Sequence, residues 1–212
     1  MYSETHLVAN LLREHNLKSV LDIGANIGDY SSSLKASNPE LDILMLEAND
    51  SCEDDLRRIG IPYLIKCLGE SEKEVKLFKD KNNPKSTGTS YKLELTDFFS
   101  TDNFLIVKTE TLDSVILKNY GHQKTFDFLK LDTQGSEKEI LQGGPVTTKN
   151  AQFIQLELSL IPWNENSPLK DEMVEYMSSL GFQEYLYLNT NYAWEKPSSE
   201  NIIFKNIIKE IK

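Results

Sequence analysis

Cysteine is scarce in this 212-residue chain: Cys52 and Cys67 are the only two. Two thiols cannot build a disulfide scaffold, and these two lack the spacing of metal-ligand pairs. Reduced thiols in a cytoplasmic protein are the expectation. No apolar run approaches the ~20 residues needed to cross a bilayer. The opening stretch mixes Glu4, His6, Arg13 and Glu14 with its apolar positions, unlike a signal peptide. No membrane partner is expected. Positive charge is in deficit, with 23 Lys and Arg against 33 Asp and Glu and a net charge of −10. Such a field repels phosphate backbones and argues against a nucleic-acid partner. Repeats, low-complexity tracts and linker-like stretches are also lacking, so one domain over 1–212 is expected.

The apolar share, 39%, is that of a globular protein, and it falls in short runs. Ser3 can cap a helix that carries Leu7, Val8, Leu11 and Leu12 on one face, within an N-terminal segment 1–18. Residues 19–24, 42–47 and 62–68 form apolar runs of strand length, with a loop and helix expected over 26–37 and a helix over 50–59. This alternation argues for a parallel sheet covered on both faces. Around 74–109 the pattern changes. Segments 74–79, 91–95 and 104–109 read as strands around a polar loop at 82–90, a small β-extension. Alternation resumes with a strand at 126–132, a helix at 136–141, a strand at 153–158 and a helix at 169–180. The last strands, 182–188 and 202–204, have no long helix between them and are expected to pair antiparallel. The fold class that follows is α/β: a three-layer sandwich around a mostly parallel seven-stranded sheet with an antiparallel last strand.

The most informative stretch runs Asp22-Ile-Gly24-Ala-Asn26-Ile-Gly28, joining a strand to a helix. Open α/β sheets bind ligands at such turns. Glycine permits a tight turn and close backbone approach. A dinucleotide turn carries glycine at its centre to clear the pyrophosphate, whereas this one carries Asn26. Glu47 ends the second strand, 23 residues after Gly24, where a carboxylate can accept both ribose hydroxyls. Turn and acid together indicate a nucleoside cofactor, and Asn26 tilts the choice away from NAD.

The 20–28 stretch Val-Leu-Asp-Ile-Gly-Ala-Asn-Ile-Gly resembles the first motif of the FkbM family of S-adenosylmethionine (SAM)-dependent methyltransferases. Leu-Glu-Ala-Asn at 46–49 stands where many members have Glu-Pro-Asn. Thr-Leu-Asp at 111–113 is similar to a short family motif. Phe-Leu-Lys-Leu-Asp-Thr-Gln-Gly at 128–135, continued by Ser136, Glu137 and 140–144, is similar to the family's most diagnostic block. The likeness spans about 20–158, and four ordered blocks are more specific than a lone glycine motif. It implies a Rossmann-like methyltransferase fold, SAM as cofactor and S-adenosylhomocysteine as product. It also implies O-methylation of a sugar, glycan or related small molecule. One departure stands out: the block often reads Asp-Val-Glu-Gly, and here Gln134 replaces the glutamate.

By analogy with the family, Asp22, Gly24, Ala25, Asn26 and Gly28 surround the methionine and ribose. Glu47 and Ala48 take the ribose and adenine, and Leu68 and Gly69 border the adenine ring. Asp132 ends the fourth strand, facing the transferred methyl; it can bind the SAM ammonium, orient a hydroxyl or act as general base. Lys130 shares its side of the strand and either pairs with Asp132 or snorkels from the core. Gln134 can position a hydroxyl or the methionine end. His122 is a candidate general base, set against an ordinary surface turn at 121–123. Asp132 and Glu157 can together hold Mg²⁺, but metal-free transfer is favoured. Acceptor specificity is expected from 82–90, His122 and the loops around Trp163 and Trp194, where aromatic residues, Tyr192 included, can stack on sugar faces. Two alternatives are a non-catalytic module that binds SAM or a nucleoside, and an NAD-dependent oxidoreductase.

Overall fold

The computed structural model describes residues 3–209; the outer limits expected for the domain, 1 and 212, lie outside them. Helix α1 (Glu4–Glu14) begins at Ser3, whose side chain accepts the amide hydrogen of His6, and buries Val8, Ala9, Leu11 and Leu12. Strand β1 (Ser19–Ile23), helix α2 (Asp29–Ser37) and strand β2 (Asp42–Glu47) follow. A short 3-10 turn at Asp50–Cys52 leads into α3 (Glu53–Ile59). The run expected as one strand at 62–68 divides into β3 (Tyr63–Ile65) and β4 (Cys67–Leu68). Then come β5 (Glu74–Phe78), β6 (Phe104–Glu110) and α4 (Leu112–Tyr120). The chain continues through β7 (Phe128–Leu131), α5 (Glu137–Gln142), α6 (Pro145–Asn150) and β8 (Phe153–Ser159). Helix α7 (Lys170–Ser179) precedes the hairpin of β9 (Phe182–Ala193) and β10 (Lys196–Asn206).

Seven strands form one sheet in the order β3-β2-β1-β7-β8-β10-β9. Pairs from β3 to β8 are parallel, and β10 lies antiparallel between β8 and β9. This is the architecture expected from the alternation. Residues on both faces of the central strands are buried, which is why those strands read as continuous apolar runs. Leu21, Leu44, Leu46, Leu129 and Ile154 pack with helices α4, α5 and α7 on one side. Val20, Ile43, Met45, Phe128 and Phe153 pack with α1, α2 and α3 on the other. Each fully buried leucine or isoleucine contributes roughly 1.5–3 kcal/mol of transfer free energy. Among the described residues no helix is long and apolar enough to cross a membrane.

The remaining strands make a three-stranded sheet in the order β4-β6-β5. The division of 62–68 occurs at Lys66, whose amide donates to the Glu47 carbonyl while the next residue turns to pair with β6. The strand expected at 91–95 does not form; a single bridge joins Glu94 to Asn164. Helices α4 and α6 were not foreseen, and the Thr-Leu-Asp motif accounts for both. Thr111 caps α4 by accepting the amide hydrogen of Ser114. The Asp113 carboxylate accepts the amides of Val146 and Thr147, at 2.9 Å each, and so holds the first turn of α6. An acid at a helix N-terminus satisfies otherwise orphaned N–H groups.

Candidate cofactor and active site

A cavity of about 490 Å³ opens at the carboxyl ends of β1, β2 and β7, within the ~300–1,000 Å³ typical of cofactor sites. Its floor is the first glycine turn. Gly24 and Ala25 both donate their amides to the Leu46 carbonyl, at 2.9 and 3.1 Å. Gly24 has φ +79°, and a Cβ there would fall against the backbone oxygen of Asp132, far inside van der Waals contact. The turn and the end of β7 meet this closely only because the residue is glycine. Gly28, at φ +85°, makes room for Ile59 of α3 and is not on the cavity wall.

Asn26, at φ +50°, tolerates the left-handed conformation better than most side chains. Its amide donates to Glu47 Oε2 at 2.7 Å, and its side chain reaches the Lys85 carbonyl at 3.1 Å. Glu47 is buried, and its other oxygen accepts the Asn49 amide at 2.7 Å. Burial raises its pKa; these backbone hydrogen bonds oppose that without cancelling it. Each Glu47 oxygen accepts one backbone N–H and keeps a lone pair free. Two lone pairs on one carboxylate at the cavity wall suit two vicinal ribose hydroxyls. Ala48 and Leu68 lie beside it on the wall, leaving apolar surface for a base. This donor and acceptor set fits the adenosine half of SAM.

At the other side of the cavity stands Lys130, almost fully buried. Its Nζ is 3.4 Å from Asp22 Oδ1, 3.4 Å from Asp132 Oδ2 and 3.4 Å from the Gly24 carbonyl. Burial works against its charge, but Asp22 and Asp132 more than offset that and hold its pKa above the usual value. Asp22 does not reach the cavity. It is fully buried and accepts the Ser31 hydroxyl at 2.6 Å; its other oxygen has no hydrogen bond and is compensated by the Lys130 charge.

Asp132 lies on the wall with its side chain 34% exposed. Burial tends to raise its pKa, but Lys130 and hydrogen bonds from neighbouring side chains hold it below the ordinary carboxylate range. Gln134 stands behind it, donating Nε2–H to Asp132 Oδ1 at 2.9 Å and to Glu157 Oε2 at 3.0 Å. Glu157 Oε1 accepts Ser199 Oγ–H and Asn191 Nδ2–H, both at 2.7 Å. Burial first, and the Asp132 charge second, push the Glu157 carboxyl up to about 8. At neutral pH the pair therefore holds one negative charge, on Asp132, where the cation is.

The cavity wall gathers Gly24, Ala25, Asn26, Glu47, Ala48 and Leu68, and on the far side Lys130 and Asp132. Asp22, Gly28, Gly69 and Gln134 stand behind it. Gly69 donates its amide to the Glu110 carbonyl and abuts Gly143. His122 is elsewhere, so the general-base role weighed for it is corrected. It sits in the exposed turn that enters β7 from its amino end, where nearby Lys124 pairs with Asp42 at the start of β2. The cavity opens at the opposite ends of these strands.

The 82–90 loop, expected from the sequence to contribute acceptor specificity, also lines the cofactor cavity. The loop folds over it and contributes Lys85, Ser86, Thr87, Thr89 and Ser90 to the wall. Asn49 Nδ2 holds it through the Pro84 carbonyl at 2.7 Å, and Ser90 Oγ donates to the Thr133 carbonyl at 3.2 Å. Its density of hydroxyl side chains was the available signal. Glu137 accepts the amides of Thr133 and Gly135 and so holds the turn between β7 and α5. Among the described residues no group of three or more His, Cys, Asp and Glu is arranged to hold a metal ion.

Solved structures with the same fold are methyltransferases of varied substrate. Magnesium protoporphyrin IX methyltransferase from Synechocystis PCC 6803, with bound SAM, is 10% identical with a TM-score of 0.55, covering 96% of this chain and 77% of that one. Precorrin-6y C5,15-methyltransferase from Geobacter metallireducens GS-15 is 14% identical with a TM-score of 0.51, over 95% of this chain and 86% of the other. TrmK of M. capricolum, in complex with its cofactor product S-adenosylhomocysteine, is 12% identical with a TM-score of 0.51, over 98% and 69%. Among curated proteins none matches the chain significantly in sequence. Residues 22–184, most of the chain, match the methyltransferase FkbM domain, a span that contains the first sequence block from Asp22 onward, the other three blocks in full and every wall residue described above. The chain belongs to the FkbM family of SAM-dependent methyltransferases.

Proposed function

We propose that the chain is an O-methyltransferase that moves the methyl group of SAM onto a hydroxyl of a sugar, glycan or related small molecule. The observation that carries this reading is Asp132: an ionised carboxylate on the cavity wall, partly exposed, with one oxygen beside Lys130 and the other held by Gln134. A carboxylate so fixed accepts a hydrogen bond from an acceptor hydroxyl and points its oxygen into the cavity. SAM supplies the activated methyl, as a sulfonium, when bound. In the transfer an O–C bond forms as the C–S bond breaks, and the hydroxyl proton leaves toward Asp132 or water.

The other residues bind and align. Glu47 accepts the ribose hydroxyls, Ala48 and Leu68 flank the adenine, and the Gly24–Asn26 backbone lies along the methionine. Lys130 keeps Asp132 ionised, and Asp22 acts through Lys130. The net charge of −10 supports a small-molecule or saccharide acceptor over a nucleic acid. Asn26, where a dinucleotide turn carries glycine, supports SAM over NAD.

Calorimetry on the purified protein tests the cofactor: SAM and S-adenosylhomocysteine bind and NAD does not. Transfer from methyl-labelled SAM to saccharide acceptors, with the label released by conditions that cleave methyl esters but not ethers as a control, tests the reaction. Absence of SAM binding sinks the reading.

A further inference from the structure

Tryptophan occurs twice in this chain, and both copies meet in one place. Trp163 follows β8 and Trp194 stands at the tip of the β9–β10 hairpin, their ring centroids 5.4 Å apart with planes at 36°. Trp194 is nevertheless 73% exposed, so most of its ring gains nothing from burial. Its backbone is costly as well. Trp194 and Glu195 have φ +49° and +64°, the conformation of a two-residue hairpin turn that Asn and Gly adopt with least strain. Stability does not explain a tryptophan that is both exposed and strained, and such residues concentrate at ligand sites.

The hairpin tip lies at the cavity's end of the sheet. Strands β8 and β9 run the same way, since both are antiparallel to β10. Trp194, just past the end of β9, therefore emerges on the edge where β7 and β8 end. Between Asp132 and the tryptophans runs a row of polar side chains: Gln134, Glu157, Ser199 and Asn191, joined by hydrogen bonds of 2.7–3.0 Å. The row crosses from β7 to β8, β10 and β9. Three inter-strand spacings make it about 14 Å long, longer than one pyranose ring.

We infer that this row and the tryptophan pair form the acceptor site, shaped for an oligosaccharide: one ring offers its hydroxyl to Asp132 while a ring further along the same molecule stacks on Trp194. The inference rests on the methyltransferase reading above and adds the length and direction of the acceptor. A pyranose has an apolar C–H face and a rim of hydroxyls. The indole takes the face, and the carboxyl, amide and hydroxyl groups of the row take the rim. Nucleobases also stack on tryptophan, but the ionisable members of the row are carboxyl groups, which do not favour phosphate.

Because no other tryptophan is present, intrinsic tryptophan emission reports on this site alone. The full-length protein, saturated with S-adenosylhomocysteine, is titrated with mono- to tetrasaccharides of the gluco, galacto, manno, rhamno and N-acetylglucosamine series. At least one oligosaccharide should change the emission saturably, and its monosaccharide should bind at least tenfold more weakly. Trp194→Ala, read through Trp163, should weaken the oligosaccharide at least tenfold, and Trp194→Phe should recover most of the loss. Calorimetric affinity of the Ala variant for S-adenosylhomocysteine should stay within twofold of the original, which shows the cofactor half intact. Emission unmoved by every saccharide overturns the inference, as does equal binding of mono- and oligosaccharide, an unaffected Ala variant, or a response to a single-stranded oligonucleotide in their place. Failure of S-adenosylhomocysteine to bind the unaltered protein is a different result and overturns the cofactor reading instead.

Discussion

Gln134 gives one hydrogen of its amide to Asp132 and the other to Glu157, across 2.9 and 3.0 Å. An amide nitrogen, with two hydrogens about 120° apart, can make this bridge; a glutamate here would add a third acid and no second donor. The bridge joins two carboxyl groups on adjacent strands that would repel if both were ionised. Lys130 lies beside Asp132, so Asp132 keeps the charge and Glu157 keeps the proton.

That proton makes stability depend on pH. The folded Glu157 holds it to about pH 8, whereas the ordinary value is 4.5. Between those values the folded state binds more protons than the unfolded state, so this group's contribution falls as pH rises through the window. The slope approaches about 1.4 kcal/mol per pH unit at its steepest. Urea unfolding from pH 5 to 8 measures it, and Glu157→Gln should flatten the decline. An identical pH slope in the variant contradicts the assignment.

Lys130 serves two acids at once, and its removal strands a buried charge. Lys130→Met should destabilise the protein by about 3–5 kcal/mol, because Asp22 is left fully buried without its cation. Adding Asp22→Asn should recover part of that loss. Denaturant midpoints of the single and double variants decide it; simple additivity would show that the two residues are not coupled.

Gly24→Ala should be far more damaging than its single methyl suggests. The new Cβ meets the Asp132 carbonyl oxygen, and the residue keeps φ +79°. A loss of about 2–4 kcal/mol is expected, at and beyond the upper end of the ordinary range for one substitution. S-adenosylhomocysteine binding should disappear with it, as the turn and the end of β7 are forced apart. A variant with the original melting temperature and affinity counts against this close approach.

Glu47→Gln should weaken S-adenosylhomocysteine by tenfold or more in calorimetry. A glutamine has one acceptor oxygen for two backbone amides and two ribose hydroxyls, and a lost hydrogen bond to a charged group costs about 1.5–3 kcal/mol. His122→Ala, at the far end of the sheet, should change neither affinity nor stability by more than about 0.5 kcal/mol. The reverse ranking of these two variants refutes the location of the site.

Divalent cation should have no place between Asp132 and Glu157, where amide hydrogens already meet both acids. Titrating Mg²⁺ into the S-adenosylhomocysteine complex should give no binding heat, and EDTA treatment should leave cofactor affinity unchanged. A stoichiometric Mg²⁺ site that disappears in Asp132→Asn would restore the metal-dependent alternative.

Much of the fold was legible because its signals are local. Strand β2 was read at its full extent, since burial on both faces leaves an unbroken apolar run at 42–47. Helices α4 and α6 escaped notice: they are nine and six residues long, and α6 is held by Asp113 from a distant part of the chain. The run at 62–68 looked like one strand because apolar content does not reveal a partner; β3 pairs with β2 and β4 with β6.

The site divides in the same way. Gly24, Asn26 and Glu47 announced themselves, because a strand-to-helix turn and a strand-end acid keep their meaning in any sheet of this kind. Sequence by itself thus determined the layered α/β architecture, the family and the position of the cofactor turn, all of which rest on local patterns and their order along the chain. Only the tertiary structure decided that the 82–90 loop covers the cavity, that His122 faces away from it, and that Gln134 bridges Asp132 to Glu157. It also decided which of those acids holds the proton. Charge and hydrogen bonding depend on distances of a few ångströms, and here those distances join residues on separate strands that no local pattern relates.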